Sequence, residues 1–312
     1  MNTINSPVLR KTALAAALSL AAAPTLAQLV LEEVVVTAQK RSENVQDIAA
    51  TVNVISGKDI EKYQSFDFSS IQQQTAGLTL ASPNARNNII AMRGVSVDPE
   101  SGTATAVDTY WNDAIVRPDV AFTQMYDLER IEILRGPQGT LQGRTSPAGA
   151  INIITKRANV DEAEGYIQLS AADNDGLNAQ VAYGAPLIEG TLAVRVAADY
   201  DRSNGPNIQN LTTGFDDQEY ETKSGRLSAA WNVTDTFNAQ VIYQYLDQDL
   251  DDPKAMTGVD ERGGRPTLVP TDLKALAVTN DTAELDFNVA NLIMDWEVLD
   301  HEVTGIVGYT DS

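Results

Sequence analysis

Cysteine is absent from the 312 residues. That excludes disulfide frameworks, thiolate metal centres and cysteine nucleophiles. Histidine is nearly absent. His301 stands alone, so no multi-histidine metal site can form within the chain. Basic residues are scarce: 22 Lys+Arg stand against 43 Asp+Glu, a formal net charge of −21. A nucleic-acid binder carries the opposite electrostatic footprint. Beyond the N-terminal segment, no apolar run approaches the ~20 residues of a spanning helix. No convergent acid–base constellation and no nucleophile motif is visible, so neither an enzyme nor a bound cofactor is expected.

The first residues have the order of an export signal. Arg10 and Lys11 form a short basic region, and Thr12 to Ala23 follows as an Ala-Leu-rich run. Thr25-Leu26-Ala27 then offers small residues ahead of Gln28. This is the pattern of a secretory signal peptide over residues 1–27, cleaved near Ala27.

Charge divides the remainder. Residues 28–157 carry a net of −3, and residues 158–312 a net of −20. A domain boundary is expected near Arg157. The later region alternates with period two. Leu177, Ala179, Val181 and Tyr183 alternate with Asn178, Gln180 and Ala182. Leu192, Val194, Val196, Ala198 and Tyr200 alternate with Ala193, Arg195, Ala197 and Asp199. Phe237, Ala239, Val241, Tyr243 and Tyr245 do the same against Asn238, Gln240, Ile242 and Gln244. Such a period gives antiparallel strands with one face in apolar surroundings and the other in water.

Seven strands are expected, near 164–172, 176–185, 190–202, 221–232, 236–247, 281–297 and 300–311. Every second connection is short (Pro186–Glu189, Val233–Asp235, Leu299–Asp300), and the long ones, near Ser203–Tyr220 and Gln248–Asn280, fall on the other side. Long strands with this asymmetry suit a transmembrane barrel with periplasmic turns and external loops. A soluble β-sandwich is the alternative on pattern alone.

The earlier region is punctuated by glycine. Glu33-Val34-Val35-Val36-Thr37-Ala38 favours an extended chain. By itself it reads as the first strand of a domain, or as a strand able to pair with another protein's sheet edge. Ser56, with Asp59 three residues on, resembles a capping box. Asp67–Gln74 is a second short helical candidate, closed by Gly77. Extended pieces follow at Leu78–Ala81 and Ile89–Met92, with a hairpin over Asp108–Val116 turning at Asn112-Asp113.

Three motifs complete this half: Met92-Arg93-Gly94, Arg130-Ile131-Glu132-Ile133-Leu134-Arg135-Gly136-Pro137-Gln138-Gly139, and Gly149-Ala150-Ile151-Asn152-Ile153. Gly136 to Arg144 lacks the Gly-Lys-Ser/Thr ending of a phosphate-binding loop. With the valine-rich segment and the alternating strands, these motifs resemble the TonB-dependent outer-membrane receptors. Departures from the family are Gln142 where Tyr is frequent, Thr145 where Asn is frequent, and Asp113-Ala114 where an Asp-Gly turn is usual.

The resemblance implies an α+β plug domain (45–157) followed by an antiparallel transmembrane β-barrel (158–312). Only about seven of the family's 22 strands are present, so a fragment or a truncated gene product is expected. Residues 28–44 would hold the TonB box and a linker, with Glu33, Val34, Val35, Val36, Thr37 and Ala38 binding TonB. Arg93, Gly94, Arg130, Glu132, Arg135, Gly136, Pro137, Gly139, Gly143, Arg144, Gly149 and Asn152 would be the plug-motif residues. Glycines at 136, 139, 143 and 149 would allow tight turns against a wall. Arg93 and Arg135 would pair with barrel glutamates beyond Ser312; the alternative is that they cap plug carbonyls. Glu129, Arg130 and Glu132 would fix the plug's own turns.

The implied role is active import of a scarce ligand, most often a ferric siderophore, across the outer membrane of a Gram-negative bacterium. TonB, energised by its inner-membrane proton-driven complex, would be the protein partner, and outer-membrane lipid the surroundings. The alternatives are a soluble periplasmic plug-containing binding or signalling protein, or a non-functional truncated receptor. No metal site is assigned. Asp247, Asp249, Asp251 and Asp252 open like a calcium loop, but Asp252 stands where Gly is needed and Gly258 where Glu is needed, so a solvated acidic loop is expected. His301 reads as a surface or lumen side chain.

Overall fold

The computed structural model describes residues 35–36, 43–44, 51–63, 65, 70–84, 87–97, 104–118, 125–138, 146–173, 175–204, 208–212, 214, 219–251, 274–275 and 282–311. Two short strands, β1 (Val35–Val36) and β2 (Glu43–Asn44), pair antiparallel with each other. The strand β3 (Thr51–Ser56) then leads directly into the helix α1 (Gly57–Tyr63). Ser56 Oγ accepts from the Asp59 amide at 3.1 Å and donates to the Asp59 carboxylate at 2.7 Å. That exchange satisfies an orphan N–H and places an acid in the first turn, where the helix dipole favours it. A single turn α2 (Ile71–Gln74) follows, then the hairpin β4 (Leu78–Asn84) and β5 (Asn87–Met92).

The centre of this half is a five-stranded mixed sheet. It adds β6 (Val107–Trp111), β7 (Ala114–Val116), β8 (Leu128–Arg135) and β9 (Gly149–Thr155), in the order β3-β8-β9-β6-β7. All seven residues of β9 are buried. A strand covered on both faces reads as a nearly continuous apolar run, which is what Gly149-Ala150-Ile151-Asn152-Ile153-Ile154 supplies. β9 runs parallel to β6 and antiparallel to β8.

The hairpin expected at Asn112-Asp113 forms there. Both residues have positive φ, 48° and 64°, the geometry of a type I′ turn. The turn therefore closes before Ala114, which begins β7, and the Asp113-Ala114 departure falls outside its central pair. The same two-residue geometry recurs at Arg93-Gly94 (54° and 76°) and at Leu299-Asp300 (48° and 66°).

Beyond Arg157 lies a seven-stranded antiparallel sheet. Its members are β10 (Glu164–Ala172), β11 (Gly176–Ile188), β12 (Leu192–Asn204), β14 (Glu219–Thr234), β15 (Phe237–Asp251), β17 (Thr282–Val298) and β18 (His301–Asp311), each paired with its neighbour in that order. Two-residue strands β13 (Gln209–Asn210) and β16 (Lys274–Ala275) lie in the long connections and pair parallel with each other. All seven expected long strands are present; β11, β14 and β15 run a few residues further than the period alone indicated, and β12 lies two residues later.

The faces are arranged as the barrel reading requires. Apolar positions point outward: Ile167, Val181, Tyr183, Val196, Leu227, Trp231, Val241, Val303 and Val307 are all exposed. Polar positions point inward and are buried: Asn178, Gln180, Arg195, Thr222, Ser228, Gln240, Gln244 and Asn291. The expectation that the polar face meets water is corrected here, because this face packs against the first half of the chain. Leu246, Phe287 and Val289 from the inner face share one apolar cluster with Ile71, Met92, Trp111, Ile131 and Ile151. A soluble sandwich buries its apolar faces against each other; this sheet does the reverse.

Gly149 illustrates the packing demand inside the mixed sheet. A Cβ there would press into the Leu134 carbonyl oxygen and Met92 Sδ, both of them buried. We expect Gly149→Ala to cost on the order of 2 kcal/mol or more, as overpacking against backbone does. A lower urea midpoint, followed by fluorescence in detergent micelles, checks this, and an unchanged midpoint would show that the strands can separate there.

Candidate functional site

The densest polar contact between the two halves is made by a three-residue turn, Met125-Tyr126-Asp127, at the entry to β8. All three residues are buried, and Asp127 has φ of 51°. Its carboxylate faces Arg195 of β12 side-on: Nε donates to Oδ2 at 2.8 Å and Nη2 to Oδ1 at 2.5 Å. Both side chains are 1% exposed. A two-pronged guanidinium–carboxylate pair of this kind is short, strong and directional. Arg195 Nη1 also reaches Glu164 of β10 at 3.3 Å, and Glu164 holds Lys156 Nζ at 3.1 Å.

Arg226 of β14 serves the backbone of the same turn. Its Nη1 donates to the Asp127 carbonyl at 3.0 Å, and both terminal nitrogens lie 3.3 Å from the Tyr126 carbonyl. Its Nε donates to Gln244 Oε1 at 2.9 Å. The guanidinium sits 4.6 Å from the Tyr126 ring centroid and 5.7 Å from that of Trp111. Planar, weakly hydrated arginine suits this place better than lysine would. Tyr126 Oη shares a hydrogen bond with Ser224 Oγ at 2.8 Å, and the Asp127 amide donates to Tyr166 Oη at 3.0 Å. Burial pushes the Tyr126 phenol above its ordinary value, with Arg226 opposing. It therefore stays neutral.

A second contact lies at the β6–β7 hairpin. Asn291 of β17 donates to the Trp111 carbonyl at 2.9 Å. Ala114 lies so close to Gly308 of β18 that a Cβ on the glycine would collide with it. The hairpin turn itself is pinned from β9. Asn152 Nδ2 donates to Asp113 Oδ1 at 2.8 Å, and Asn152 Oδ1 accepts from the Asp113 amide at 3.2 Å. Asn112 Oδ1 accepts from the amide and the hydroxyl of Thr155 at 2.9 and 3.0 Å.

The other motif residues are distributed around these contacts. Arg93 and Gly94 form the turn after β5, and Arg93 Nη2 reaches Thr51 Oγ1 at 3.4 Å. Arg135 ends β8 and donates to the Ala76 carbonyl at 2.9 Å and to Asn53 Oδ1 at 2.7 Å. Each arginine thus has a contact within its own domain, and that of Arg135 includes a plug carbonyl. Arg130 donates to Glu132 at 2.7 Å and also pairs with Glu129, within one strand. Gly136 donates its amide to the Ala148 carbonyl, and Gln138, past Pro137, donates to the Ser146 carbonyl. Val35 and Val36 form β1; Glu33, Val34, Thr37, Ala38, Gly139, Gly143 and Arg144 lie outside the described residues.

Asp247, Asp249 and Asp251 are not in a loop. They continue the outward face of β15, opposite Lys223, Glu221, Asp286 and Glu284 on the neighbouring strands. Their every-second spacing is strand alternation, which overturns the loop reading; Asp252 lies outside the described residues. Among the described residues no group of three or more acidic or histidine side chains is placed to hold a metal. His301 opens β18 and is exposed.

Asp127, Tyr126, Arg195, Arg226 and Asn291 were not singled out from the sequence as functional. Arg195 did carry a signal, since it falls on the polar side of a strand whose other side runs Val194 and Val196. A buried guanidinium there requires an acid from elsewhere. Nothing local marked Asp127 as that acid.

Residues 44–150 match the family model of the TonB-dependent receptor plug domain. The pesticin receptor of Yersinia pestis is 28% identical over 187 residues, 59% of this chain and 27% of that protein. The ferrichrome outer membrane transporter and phage receptor of Escherichia coli K12 is 25% identical over 132 residues, 40% of this chain and 17% of that protein. In fold, the chain is similar to the ferric yersiniabactin uptake receptor FyuA of Yersinia pestis, with a TM-score of 0.71 at 19% identity, over 84% of this chain and 40% of that one. FpvA of P. aeruginosa gives a TM-score of 0.72 at 15% identity, over 88% of this chain and 35% of that one. The chain thus spans about a quarter of the pesticin receptor's length. These relatives are named as receptors and transporters rather than enzymes; residues 44–150 of this chain match the plug domain of TonB-dependent receptors, and the strand-rich region behind it has the fold of the solved receptors.

Proposed function

We propose that this chain serves TonB-dependent active import across an outer membrane, with the plug (residues 45–157) gating a barrel wall that begins at residue 158. The inverted burial of the long sheet carries this reading. Its outer face is apolar and bounded by aromatics. Trp231, Phe237 and Trp296 lie beside the short turns, and Phe237 and Trp296 stack edge to face at 6.5 Å. Tyr200, Tyr243, Tyr245 and Tyr309 lie toward the other end, where charge takes over at Arg202, Lys223, Asp247 and Asp286. From Phe237 to Tyr245 the strand rises about 26 Å at ~3.3 Å per residue. At a tilt of ~40° that approaches the ~25 Å apolar band of an outer-membrane barrel, with its two aromatic girdles. In water such a face would be an aggregation surface.

The residues that engage TonB are Glu33 to Ala38. Ligand arriving from outside exposes this segment to the periplasm, where it adds as a strand to TonB's sheet. Force from the proton-driven inner-membrane complex then displaces the plug. The extended pairing of Val35–Val36 supports this use. The ligand class we assign is a ferric siderophore. Relatives named for ferrichrome and for ferric yersiniabactin support that choice, and one named for vitamin B12 marks the breadth of the family. The exported chain begins near Gln28.

Two measurements test the reading. We expect Val241→Arg, on the outer face, to lower partitioning of the full chain into phospholipid vesicles by about 2–4 kcal/mol, the cost of such a charge near the bilayer midplane. Equal partitioning would mean that this face does not meet lipid. Calorimetric titration with the periplasmic domain of TonB should show binding to the full chain and none after scrambling Val34–Thr37. Undiminished binding by the scrambled chain would remove the handle from residues 33–38.

A further inference from the structure

We propose that Asp127 and Arg195 form the charge lock that seats the plug on its wall, with the acid supplied by the plug and the arginines by the strands. This rests on the reading above that the first half is a plug, and it concerns what holds it in place. The family resemblance directs attention to plug arginines, but Arg93 and Arg135 contact Thr51, Ala76 and Asn53 of their own domain. The described charge pair that crosses between the halves at full burial has the reverse polarity.

Its wiring is nearly complete. Within the Tyr126-Asp127 pair, the carboxylate, both carbonyls, the Asp127 amide and the Tyr126 hydroxyl all bond to wall side chains, on β10, β12 and β14. The described charged groups around the carboxylate are Arg195, Arg226 at 4.0 Å, and Glu164, which shares Arg195 and is itself held by Lys156; the buried Asp199 of β12 lies in the field of Arg226, and Glu61 of α1 lines the same small cavity as Asp127. The charges are unequally placed. Removing the Arg195 charge leaves Asp127 beside Arg226. Removing the Asp127 charge leaves two buried guanidiniums converging on a neutral group, with the half-buried Glu164 as the carboxylate still in contact.

This asymmetry separates a lock from mere packing. Asp127→Asn keeps the shape of the side chain and removes its charge; Arg195→Gln removes the other. Breaking a buried pair by removing one partner is strongly destabilising, whereas removing both charges costs much less. The experiment uses the full chain in detergent micelles, in a Trp231→Phe, Trp296→Phe background. Trp111, which faces Arg226, then reports plug docking, while far-ultraviolet circular dichroism reports the sheet.

We expect Asp127→Asn to weaken docking about 100-fold or more in urea titrations and Arg195→Gln to weaken it less. The Asp127→Asn, Arg195→Gln double variant should be no worse than Asp127→Asn alone. Additive single effects or an inert Asp127→Asn would overturn the lock. Failure of the chain to enter vesicles would count against the barrel reading alone, because docking is measured independently of lipid.

Discussion

Everything in this molecule follows from a sheet that turns its apolar side chains outward. Long strands of period two always have two faces, and one of them must find partners other than water if it is buried. Here the buried face holds Asn178, Gln180, Arg195, Thr222, Arg226, Gln240, Gln244 and Asn291. These groups cannot be covered by oil. Some are satisfied within the sheet, Asn178 by Asp199 and Asp201, Thr222 by Gln248, and Gln244 by Arg226 and Ser224; Arg195, Arg226 and Asn291 reach instead to a carboxylate and carbonyls of the plug. Its contribution is concentrated in a few backbone and side-chain groups at Trp111, Tyr126 and Asp127, not spread evenly over its surface.

The plug is organised so that those groups are held still. β9 is buried along its whole length and anchors β8 on one side and β6 on the other. From β8 the chain presents Asp127 at the strand's entry. From β6 it presents Trp111 at the strand's exit. The two meet at Arg226, whose guanidinium touches both aromatic rings. Asn152 and Thr155 on β9 pin the turn beside Trp111. The conspicuous motif residues thus mostly build the plug itself. Arg130 and Glu132 pair along β8, Arg135 ties β8 to β3 and to the chain before β4, and Gly149 lets β9 pass close under Leu134.

A wall–plug junction built on charge suits the import proposed above, in which the plug would hold tightly and still release. Apolar contact is non-directional and grows with area, so it resists displacement in small increments. A buried ion pair is different: strong while its geometry is intact, and costly once one partner is withdrawn. The apolar cluster shared by Leu246, Phe287 and Val289 with the plug supplies the first kind of adhesion, and the Asp127–Arg195 pair the second.

The long strands, the short and long connections, the hairpin at Asn112-Asp113 and the capped helix at Ser56 were legible in the sequence because each rests on local rules: alternation, turn chemistry and capping. The motif order was legible as a family resemblance. The extent of β15 was misread, since Asp247, Asp249 and Asp251 have loop-like composition but sit on a ladder that their neighbours continue. What the residues determine by themselves is therefore the two-faced strand and the glycine-punctuated plug. Which face turns inward, and that Asp127 meets Arg195 across 68 positions of chain, was decided by the tertiary structure alone. A period-two pattern is symmetric between inside and outside, and a buried charge finds its partner through space rather than along the sequence.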